Sequence, residues 1–563
     1  MSQRIFATAI MILGIWTSAA FGQESTLWTY SSGDEDIGHF EIIPSGSIFT
    51  SREDRVVMLE PDTGNVIWER TDIRDCKKND DDGTIRCRFL NQGGARFSAI
   101  PDTDFGLFEI GFRGVANTSE RYAVVDLGTG ATIWDSLDIP FERTRGFLYI
   151  ARLDQFLLSG ETPDDRGLIV KVRGSDGNVM WQQEIDFLDR FSFIGAPNDT
   201  QVLAYGKLDG GRRLLASMDL TDGVEQWRLD SLFRSDARNR NILLESQIDG
   251  TVVLYMTKDG PFRLDLANGE VVWRAENWDE DPPDRGKARM VVGDELIFVP
   301  DGRNVDALRL EDGSLVWQTA ERFDAEPVDM FMVPNGLFVR SRHFDVLEPN
   351  TGASVWTSRA GRFDESAPIQ LDEGIVYVAA EEAFSSVDLT TGAVTTLAEY
   401  DFEGEQPTEI EPGDGSLLLM SRQNLLRITF DGSVRYHAYL KAPGAGFLAN
   451  LTTALALPAA VSGGYCLICD ALDATPGGRR ASYGAASTET FGSYFIYTDE
   501  SLDDREGFSL VRLDKESGTE TGRMWRDERN PNYIIDEITE TVYFQESDSV
   551  LRGLNFETDF DSR

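Results

Sequence analysis

The sequence predicts an all-β protein, a β-propeller of four-stranded blades with eight or more blades. A tryptophan returns along the chain after a turn that ends in glycine, and from Trp134 onward the spacings are 47, 46, 46, 44 and 39 residues. The segments on either side of each turn are short and apolar, as strands packed between sheets are. No amphipathic helical pattern of useful length occurs in these repeats. Such a period indicates repeated supersecondary units, and four-stranded units repeated radially form a propeller.

The repeating unit is an apolar strand, a turn ending in Gly, and a short strand carrying Trp. Seven copies keep both the Gly and the Trp, and they are Val56–Trp68, Tyr122–Trp134, Ile169–Trp181, Leu214–Trp227, Pro261–Trp273, Val305–Trp317 and Phe344–Trp356. Degenerate copies follow at Phe384–Leu397, Leu425–Tyr436 and Leu510–Trp525. With a closing unit formed by the chain ends, this gives ten motif-bearing units plus one.

The phase of the tryptophans indicates their role. Each lies four residues after its Gly, at Trp68, Trp134, Trp181, Trp227, Trp273, Trp317 and Trp356. A constant phase places every indole on one face of an outer strand, where it can pack against the neighbouring unit. Burying such a ring removes ~150–250 Å² from water. We therefore predict that these seven residues are structural and join one blade to the next.

The turn chemistry supports this interpretation. Gly accepts a positive φ at no steric cost, which suits a tight hairpin. An Asp stands four residues before the Gly in several copies, at Asp126, Asp219, Asp265 and Asp388. There its carboxylate is expected to accept hydrogen bonds from turn amides.

Each unit has room for two further strands, and the chain ends can complete one sheet. The runs His39–Ile43 and Ser47–Thr50 precede the first motif. Thr26–Tyr30 resembles an outer strand with no partners before it, and the last strand-like runs, which end with Val550–Phe556, have no Trp strand after them. We predict that the N- and C-terminal strands pair and close the ring.

The charge excludes some partners. The chain has 53 Lys and Arg residues against 96 Asp and Glu, a formal net charge of −43. Nucleic acid would be repelled, and contact with anionic membrane surfaces is disfavoured for the same reason. The acidity indicates either a solvated surface or a surface that attracts cations and basic partners.

The first 22 residues are typical of a secretory signal peptide. Arg4 precedes the apolar stretch Ile5–Trp16, and Ala20-Phe21-Gly22 offers small residues for cleavage before Gln23. We expect an exported protein, periplasmic or extracellular. The predicted division is a signal peptide at 1–22, propeller repeats at 23–440, an uncharged insertion at 441–484, and final repeats with ring closure at 485–563.

The four cysteines are predicted to form structural disulfides. Cys76 and Cys87 flank a polar turn, so a bond between them would join the two arms of a hairpin. Cys466 and Cys469 form a C-x-x-C, which favours a local disulfide in an oxidising compartment. Redox activity and metal binding are the alternatives, although three histidines scattered in sequence are a poor basis for a four-ligand zinc site.

One segment departs from the acidic composition of the rest. Residues Ala442–Cys469 contain no charged side chain and interrupt the repeat. The segment is expected to be a buried insertion or cap, with a partner-docking loop or a membrane contact as alternatives.

The unit Asp-x-x-Thr-Gly-x-x-x-Trp resembles the repeat of the PQQ-like β-propellers, a superfamily that includes quinoprotein alcohol dehydrogenases and the outer-membrane assembly factor BamB. The resemblance covers Thr26 to Tyr436 and resumes near Phe491. It implies the propeller fold, whereas the fold itself hosts both enzymes and scaffolds.

The enzymes of this superfamily carry two adjacent cysteines at the cofactor and hold calcium with acidic and Asn side chains. This chain has no Cys-Cys pair, and Asp470 follows Cys469 where a c-type haem motif needs His. We therefore name no catalytic, cofactor-binding or metal-binding residue and expect no cofactor. The resemblance favours an exported protein-binding scaffold that docks other proteins on the loop-rich face of the propeller, in envelope or outer-membrane protein assembly. The alternative is a quinoprotein dehydrogenase that uses PQQ and calcium.

Overall fold

The computed structural model of the chain describes residues 26–52, 55–73, 75–78, 85–88, 95–100, 103–110, 121–139, 141, 143–164, 166–185, 189–207, 213–229, 242–248, 250–256, 260–275, 288–319, 322–358, 366–380, 382–441, 481–484, 487–502, 505–526, 532–556 and 560. These residues form eleven antiparallel sheets and one separate hairpin. The prediction of an all-β propeller with eight or more blades is confirmed.

The strands follow one another in chain order as β1 Trp28–Ser31, β2 Ile37–Ile42, β3 Ile48–Arg52, β4 Val56–Leu59, β5 Val66–Arg70, β6 Asp75–Lys78, β7 Ile85–Arg88, β8 Ala95–Ala99, β9 Phe105–Ile110, β10 Arg121–Asp126, β11 Thr132–Asp135, β12 Arg143–Ile150, β13 Gln155–Glu161, β14 Gly167–Arg173, β15 Val179–Ile185, β16 Asp189–Gly195, β17 Gln201–Lys207, β18 Arg213–Asp219, β19 Glu225–Leu229, β20 Ile242–Ile248, β21 Thr251–Met256, β22 Gly260–Asp265, β23 Val271–Arg274 and β24 Val291–Val292. They continue as β25 Leu296–Asp301, β26 Asn304–Arg309, β27 Leu315–Gln318, β28 Asp329–Val333, β29 Gly336–Arg340, β30 Phe344–Leu347, β31 Ser354–Ser358, β32 Ile369–Asp372, β33 Ile375–Ala379, β34 Ala383–Asp388, β35 Val394–Glu399, β36 Glu409–Gly413, β37 Ser416–Met420, β38 Asn424–Thr429, β39 Val434–Tyr439, β40 Ala481–Gly484, β41 Ser487–Glu489, β42 Ser493–Leu502, β43 Arg505–Asp514, β44 Glu520–Arg526, β45 Tyr533–Asp536, β46 Thr541–Ser547 and β47 Val550–Asn555. Two short 3-10 turns stand at Ser136–Asp138 and Ala151–Leu153.

Ten blades are four-stranded meanders, which we number 1 to 10 along the chain. They consist of β2–β5, β8–β11, β12–β15, β16–β19, β20–β23, β24–β27, β28–β31, β32–β35, β36–β39 and β41–β44. The first strands of several neighbouring blades contact one another, including β12 with β16 and β32 with β36. These contacts place the first strand of each blade at the centre and the fourth strand, which carries the repeat tryptophan, at the rim.

Blade 11 closes the ring with strands from both ends of the chain. Its order is β40-β45-β46-β47-β1, and β1 pairs with β47 from Trp28 opposite Gly553 to Ser31 opposite Val550. The predicted pairing of the terminal strands is confirmed. Strand β40, which the sequence analysis counted with the insertion, adds a fifth strand beside β45.

The core lies between blades and is built by the second and third strands. Val56–Leu59 is buried at every position, as is Gly336–Arg340. Continuous burial arises because each sheet is covered on both faces by its neighbours. One apolar cluster joins blade 10 to blade 11, and another joins blade 11 to blade 1 through Trp28, Ile534 and Leu551.

The antiparallel meander gives the propeller two unlike faces. We call "turn face" the end that carries the turns between the first and second strands and between the third and fourth strands of each blade. Backbone hydrogen bonds join these two turns within a blade, for example Leu220 N to Thr200 O at 2.8 Å and Leu389 N to Gly374 O at 2.9 Å. We call "connection face" the opposite end, which carries the turns between the second and third strands and the segments that join successive blades.

Candidate functional site

The seven repeat tryptophans lie at the joints between blades. Six are 5–8% exposed, and Trp181 is half-buried. Six of the indole N–H groups donate to a backbone carbonyl of the next blade, with Trp68 to Leu127 at 2.7 Å, Trp181 to Leu220 at 3.0 Å, Trp227 to Leu266 at 2.8 Å, Trp273 to Leu310 at 2.7 Å, Trp317 to Pro349 at 2.7 Å and Trp356 to Leu389 at 2.9 Å. Trp28 of β1 makes the same bond to Pro61 at 2.6 Å. The accepting residue always precedes the turn Gly by three positions.

The turn glycine of one blade covers the tryptophan of the blade before it. Gly130 has a φ of +72°, and a Cβ there would lie 2.7 Å from Cδ2 of Trp68. The same relation holds for Gly64 with Trp28, Gly223 with Trp181, Gly269 with Trp227, Gly313 with Trp273, Gly352 with Trp317 and Gly392 with Trp356. At Gly177 a Cβ would instead lie 2.2 Å from the carbonyl oxygen of Ile133 and 2.8 Å from Cβ of Trp134. Only glycine combines the left-handed conformation with this close approach, since any side chain would overlap the ring.

The turn carboxylates accept backbone amides. Asp126, Asp219, Asp265 and Asp388 accept from the N–H two or three residues later at 2.6–2.8 Å. The pKa of Asp219 is lowered, and the hydrogen bond from the Thr221 backbone amide is the largest cause. The Thr391 amide does the same for the pKa of Asp388. The carboxylates of Asp219 and Asp388 are therefore charged at neutral pH, and all four turn carboxylates belong to the architecture.

At five joints the accepting carbonyl receives a second side-chain donor, which the sequence analysis missed. The donor pairs are Lys171 with Trp181 at Leu220, Gln201 with Trp227 at Leu266, Arg263 with Trp273 at Leu310, Asn335 with Trp356 at Leu389, and Arg427 with Tyr436 at Lys515. Two of these donors leave a signal in the sequence. Lys171 and Arg263 are each a cation within an otherwise apolar third strand, six residues before the turn Gly. Burial lowers the pKa of Lys171.

The joint between blades 9 and 10 uses tyrosine instead of tryptophan. Gly518 covers the ring of Tyr436, whose hydroxyl donates to the carbonyl of Lys515. Burial raises the pKa of Tyr436 to about 12. The Lys515 ammonium lies 2.5 Å from a carboxylate oxygen of Glu411 on β36, which adds an ion pair to this joint.

The turn face is strongly acidic. Exposed carboxylates stand in most of its described turns, at Asp62, Asp104, Asp176, Asp199, Asp222, Asp294, Glu295, Glu311, Asp312, Glu373, Asp388, Asp414, Asp431, Glu516 and Glu540. Among the described residues of these turns the cations are Arg152 and Lys515, and both are ion-paired, with Asp199 and Glu411. This face therefore presents a negative field to any approaching molecule.

The three histidines occupy separate blades. His39 Nε2 lies 3.4 Å from Glu41, His343 Nε2 lies 2.8 Å from Asp324, and His437 Nε2 lies 3.0 Å from the Asn424 side chain. Within the described ranges, no group of three or more His, Cys, Asp and Glu side chains is arranged to hold a metal ion. No helix of the described chain is long and apolar enough to cross a membrane.

The cysteines are described in part. Cys76 of β6 stands directly opposite Cys87 of β7 in the separate hairpin, which lies between blades 1 and 2 in the chain. Cys466 and Cys469 lie outside the described residues, together with all of the uncharged segment 442–469. The two disulfides remain predictions.

The chain matches a known repeat family over its central blades. Residues 165–333, from the third blade to the first strand of the seventh, match a PQQ-type family model whose description is outer membrane protein assembly factor BamB. The resemblance to the PQQ-like propellers is confirmed. No curated protein matches the sequence.

Solved structures similar to this chain are remote. BamB from Moraxella catarrhalis is 12% identical with a TM-score of 0.26, over 73% of this chain and 96% of that one. A quinohemoprotein alcohol dehydrogenase from Pseudomonas putida HK5 is 13% identical with a TM-score of 0.28, over 72% of each chain. The computationally designed Ika8 protein is 12% identical with a TM-score of 0.25, over 74% of this chain and 100% of that one. TM-scores this low add nothing on what this propeller binds.

Proposed function

We propose that this PQQ-like propeller is an exported, non-catalytic scaffold that binds other proteins in the cell envelope and takes part in outer-membrane protein assembly. The observation that carries the proposal is the match of residues 165–333 to a family model described as an outer-membrane assembly factor. An assembly factor acts on other proteins, so protein binding is the general property that the match supports.

The use of the repeat residues agrees with a scaffold. The residues that recur from unit to unit, Trp, Gly and Asp, join neighbouring blades and shape the turns. The residues that differ from blade to blade are therefore the ones available to bind partner proteins. The chain between the last strand of one blade and the next strand is long after Leu229, Arg274 and Tyr439, where the next strands begin at Ile242, Val291 and Ala481. We assign the docking of partner proteins to the loop-rich connection face.

Export is part of the proposal. Cleavage before Gln23 would give a mature protein whose first residue lies five positions before Trp28, the start of strand β1. Cell fractionation followed by N-terminal sequencing of the mature protein tests this, with the expected sequence starting at Gln23. A protein recovered from the cytoplasm with its first residues intact would contradict export.

One experiment separates the scaffold from a quinoprotein dehydrogenase. The purified full chain is incubated with PQQ and Ca²⁺, and quinone absorbance and dye reduction with alcohols are measured. In parallel, the chain is cross-linked in intact envelopes and the captured proteins are identified. We expect no dye reduction above that of a heat-denatured sample, and capture of outer-membrane proteins. PQQ-dependent dye reduction would overturn the proposal in favour of the enzyme.

A further inference from the structure

Two apolar side chains stand out on the acidic turn face. Phe491 is 87% exposed and Ile538 is 68% exposed, and they are the most exposed large apolar residues in the described turns of the turn face. Both occupy the turn between the first and second strands of their blades, Phe491 in blade 10 and Ile538 in blade 11. Two large apolar side chains exposed on neighbouring turns are candidates for a binding site.

The two turns are tied to each other. The backbone N–H of Phe491 donates to Glu537 Oε1 at 2.6 Å, and Ile538 is the next residue in the chain. This hydrogen bond crosses from blade 10 to blade 11 and ties the turn that carries Phe491 to the turn that carries Ile538.

Both turns are also fixed to their own blades. The Gly492 carbonyl accepts from Lys515 N at 3.1 Å, and the Glu540 carbonyl accepts from Phe556 N at 2.9 Å. The Ile538 N–H donates to Asp536 Oδ1 at 3.0 Å. The side chains therefore project from a backbone that is already ordered, so a partner that covers them does not have to order the turns.

The surroundings define the charge of the partner. Glu537 lies between the two residues, and Glu516 and Glu540 are exposed in the adjoining turns. Of the nearby cations, Lys515 is buried with its ammonium paired with Glu411, and Arg427 and Arg435 lie 2.7 Å and 3.7 Å from the Glu516 carboxylate. Glu537 and Glu540 therefore supply the negative charge beside the two apolar residues. An apolar contact inside a negative rim fits apolar side chains flanked by positive charges, and it repels acidic peptides and anionic lipid.

We infer that Phe491 and Ile538 form a docking site for a polypeptide segment whose apolar side chains are flanked by lysine or arginine. The site lies on the turn face, so it is separate from the loop-rich connection face and does not depend on docking there.

Peptide binding to the full chain tests the site. The probe is a fluorescein-labelled peptide with two leucines between pairs of lysines. One analogue has serines in place of the leucines, and another has glutamates in place of the lysines. We expect fluorescence anisotropy to show the leucine–lysine peptide bound about tenfold or more tighter than either analogue. Equal affinity for the serine analogue would overturn the inference, since general negative charge would then explain binding.

Variants locate the binding. Phe491→Ser combined with Ile538→Ser should weaken binding of the leucine–lysine peptide about tenfold or more, because one buried Phe or Ile contributes that much. Leu137→Ser is the matched control, since Leu137 is 69% exposed but lies between β11 and β12 on the connection face. It should leave the affinity unchanged. An unchanged affinity in the double variant, with circular dichroism and melting as in the wild type, would overturn the site.

The charge contribution has its own test. Glu537→Gln retains an acceptor for the Phe491 N–H but removes the charge, so the dependence of peptide affinity on salt should become weaker. An unchanged salt dependence would overturn the role assigned to the acidic rim. Capture of envelope proteins by the double variant separates the two proposals, because loss of peptide binding with capture intact would leave the scaffold function standing on the connection face alone.

Discussion

The indole nitrogen of Trp356 donates a 2.9 Å hydrogen bond to the carbonyl oxygen of Leu389 in the next blade. The side-chain amide of Asn335 donates to the same oxygen at 2.6 Å. Gly392 of the same turn lies over the indole ring. One peptide group therefore receives the contacts that join blade 7 to blade 8, and the same arrangement recurs around the ring.

Trp356→Ala should lower the free energy of unfolding by about 3–5 kcal/mol, the usual cost of removing a large buried aromatic side chain. Trp356→Phe retains most of the apolar contact and loses the hydrogen bond, while Asn335 still donates to the carbonyl, so its cost should be about 1 kcal/mol. Urea titrations followed by circular dichroism measure both. A Trp356→Ala midpoint equal to that of the wild type would show that the joint does not depend on the indole.

The constant phase of Gly and Trp predicted the joints, while the room in each unit and the unpartnered terminal runs predicted four-stranded blades and the ring closure. The phase is informative because an indole beneath a turn glycine recurs at most of the joints and leaves the same mark in the sequence. The second donors could be predicted only in part. Lys171 and Arg263 are cations in apolar third strands, whereas Gln201 comes from a second strand and Asn335 from a turn, where no pattern marks them. What they share is the group that accepts their hydrogen bond, a backbone carbonyl of the next blade, and this carbonyl comes close to them only when the chain folds.

The same limit applies to the Phe491–Ile538 site. The two residues are 47 positions apart, and neither stands in a motif. Their proximity follows from the pairing of turns in adjacent blades through Glu537, and their exposure follows from the absence of a covering loop among the described residues. Sequence patterns that report one blade at a time do not contain this information.

Gly392→Ala tests the turn over the tryptophan, with Gly415→Ala as its control. Gly392 has a φ of +71° and Gly415 a φ of +64°, so both substitutions carry the left-handed penalty of about 1–2 kcal/mol. A Cβ at Gly392 would lie 2.5 Å from Cε3 of Trp356, whereas nothing lies within 4 Å at Gly415. We expect the melting temperature to fall further for Gly392→Ala than for Gly415→Ala. Equal melting temperatures would mean that the ring moves aside without cost.

The Cys76–Cys87 disulfide can be tested directly by mass. The two residues are opposite each other in the β6–β7 ladder, and an exported protein matures in an oxidising compartment. Alkylation of the denatured, unreduced protein should leave both cysteines unmodified, and prior reduction should add one alkyl group to each. Peptide mapping assigns the label to Cys76 and Cys87 separately from Cys466 and Cys469. Alkylation of Cys76 and Cys87 without reduction would contradict the bond.

Asp306 should make the stability of the propeller depend on pH. Its side chain is 7% exposed on β26, and burial raises its pKa to about 6, with repulsion from Asp301 adding to the rise and a hydrogen bond from Gln318 opposing it. The folded state therefore holds this proton more tightly than the unfolded chain. The resulting stabilisation is fully present below about pH 4 and is lost as the pH rises through about 6, and the total loss is about 3 kcal/mol.

Asp306→Asn removes the charge and keeps an acceptor for Gln318, so the variant should be more stable than the wild type at pH 7 and similar to it at pH 4. Urea midpoints at the two pH values measure this difference. Asp312→Asn is the control, because the Ser314 hydroxyl and amide lower the pKa of that exposed turn carboxylate and its ionised form is the favoured one. That substitution should give no gain at pH 7. If Asp306→Asn gives the same difference from the wild type at both pH values, the carboxyl does not titrate between them, and its burial is relieved in some other way.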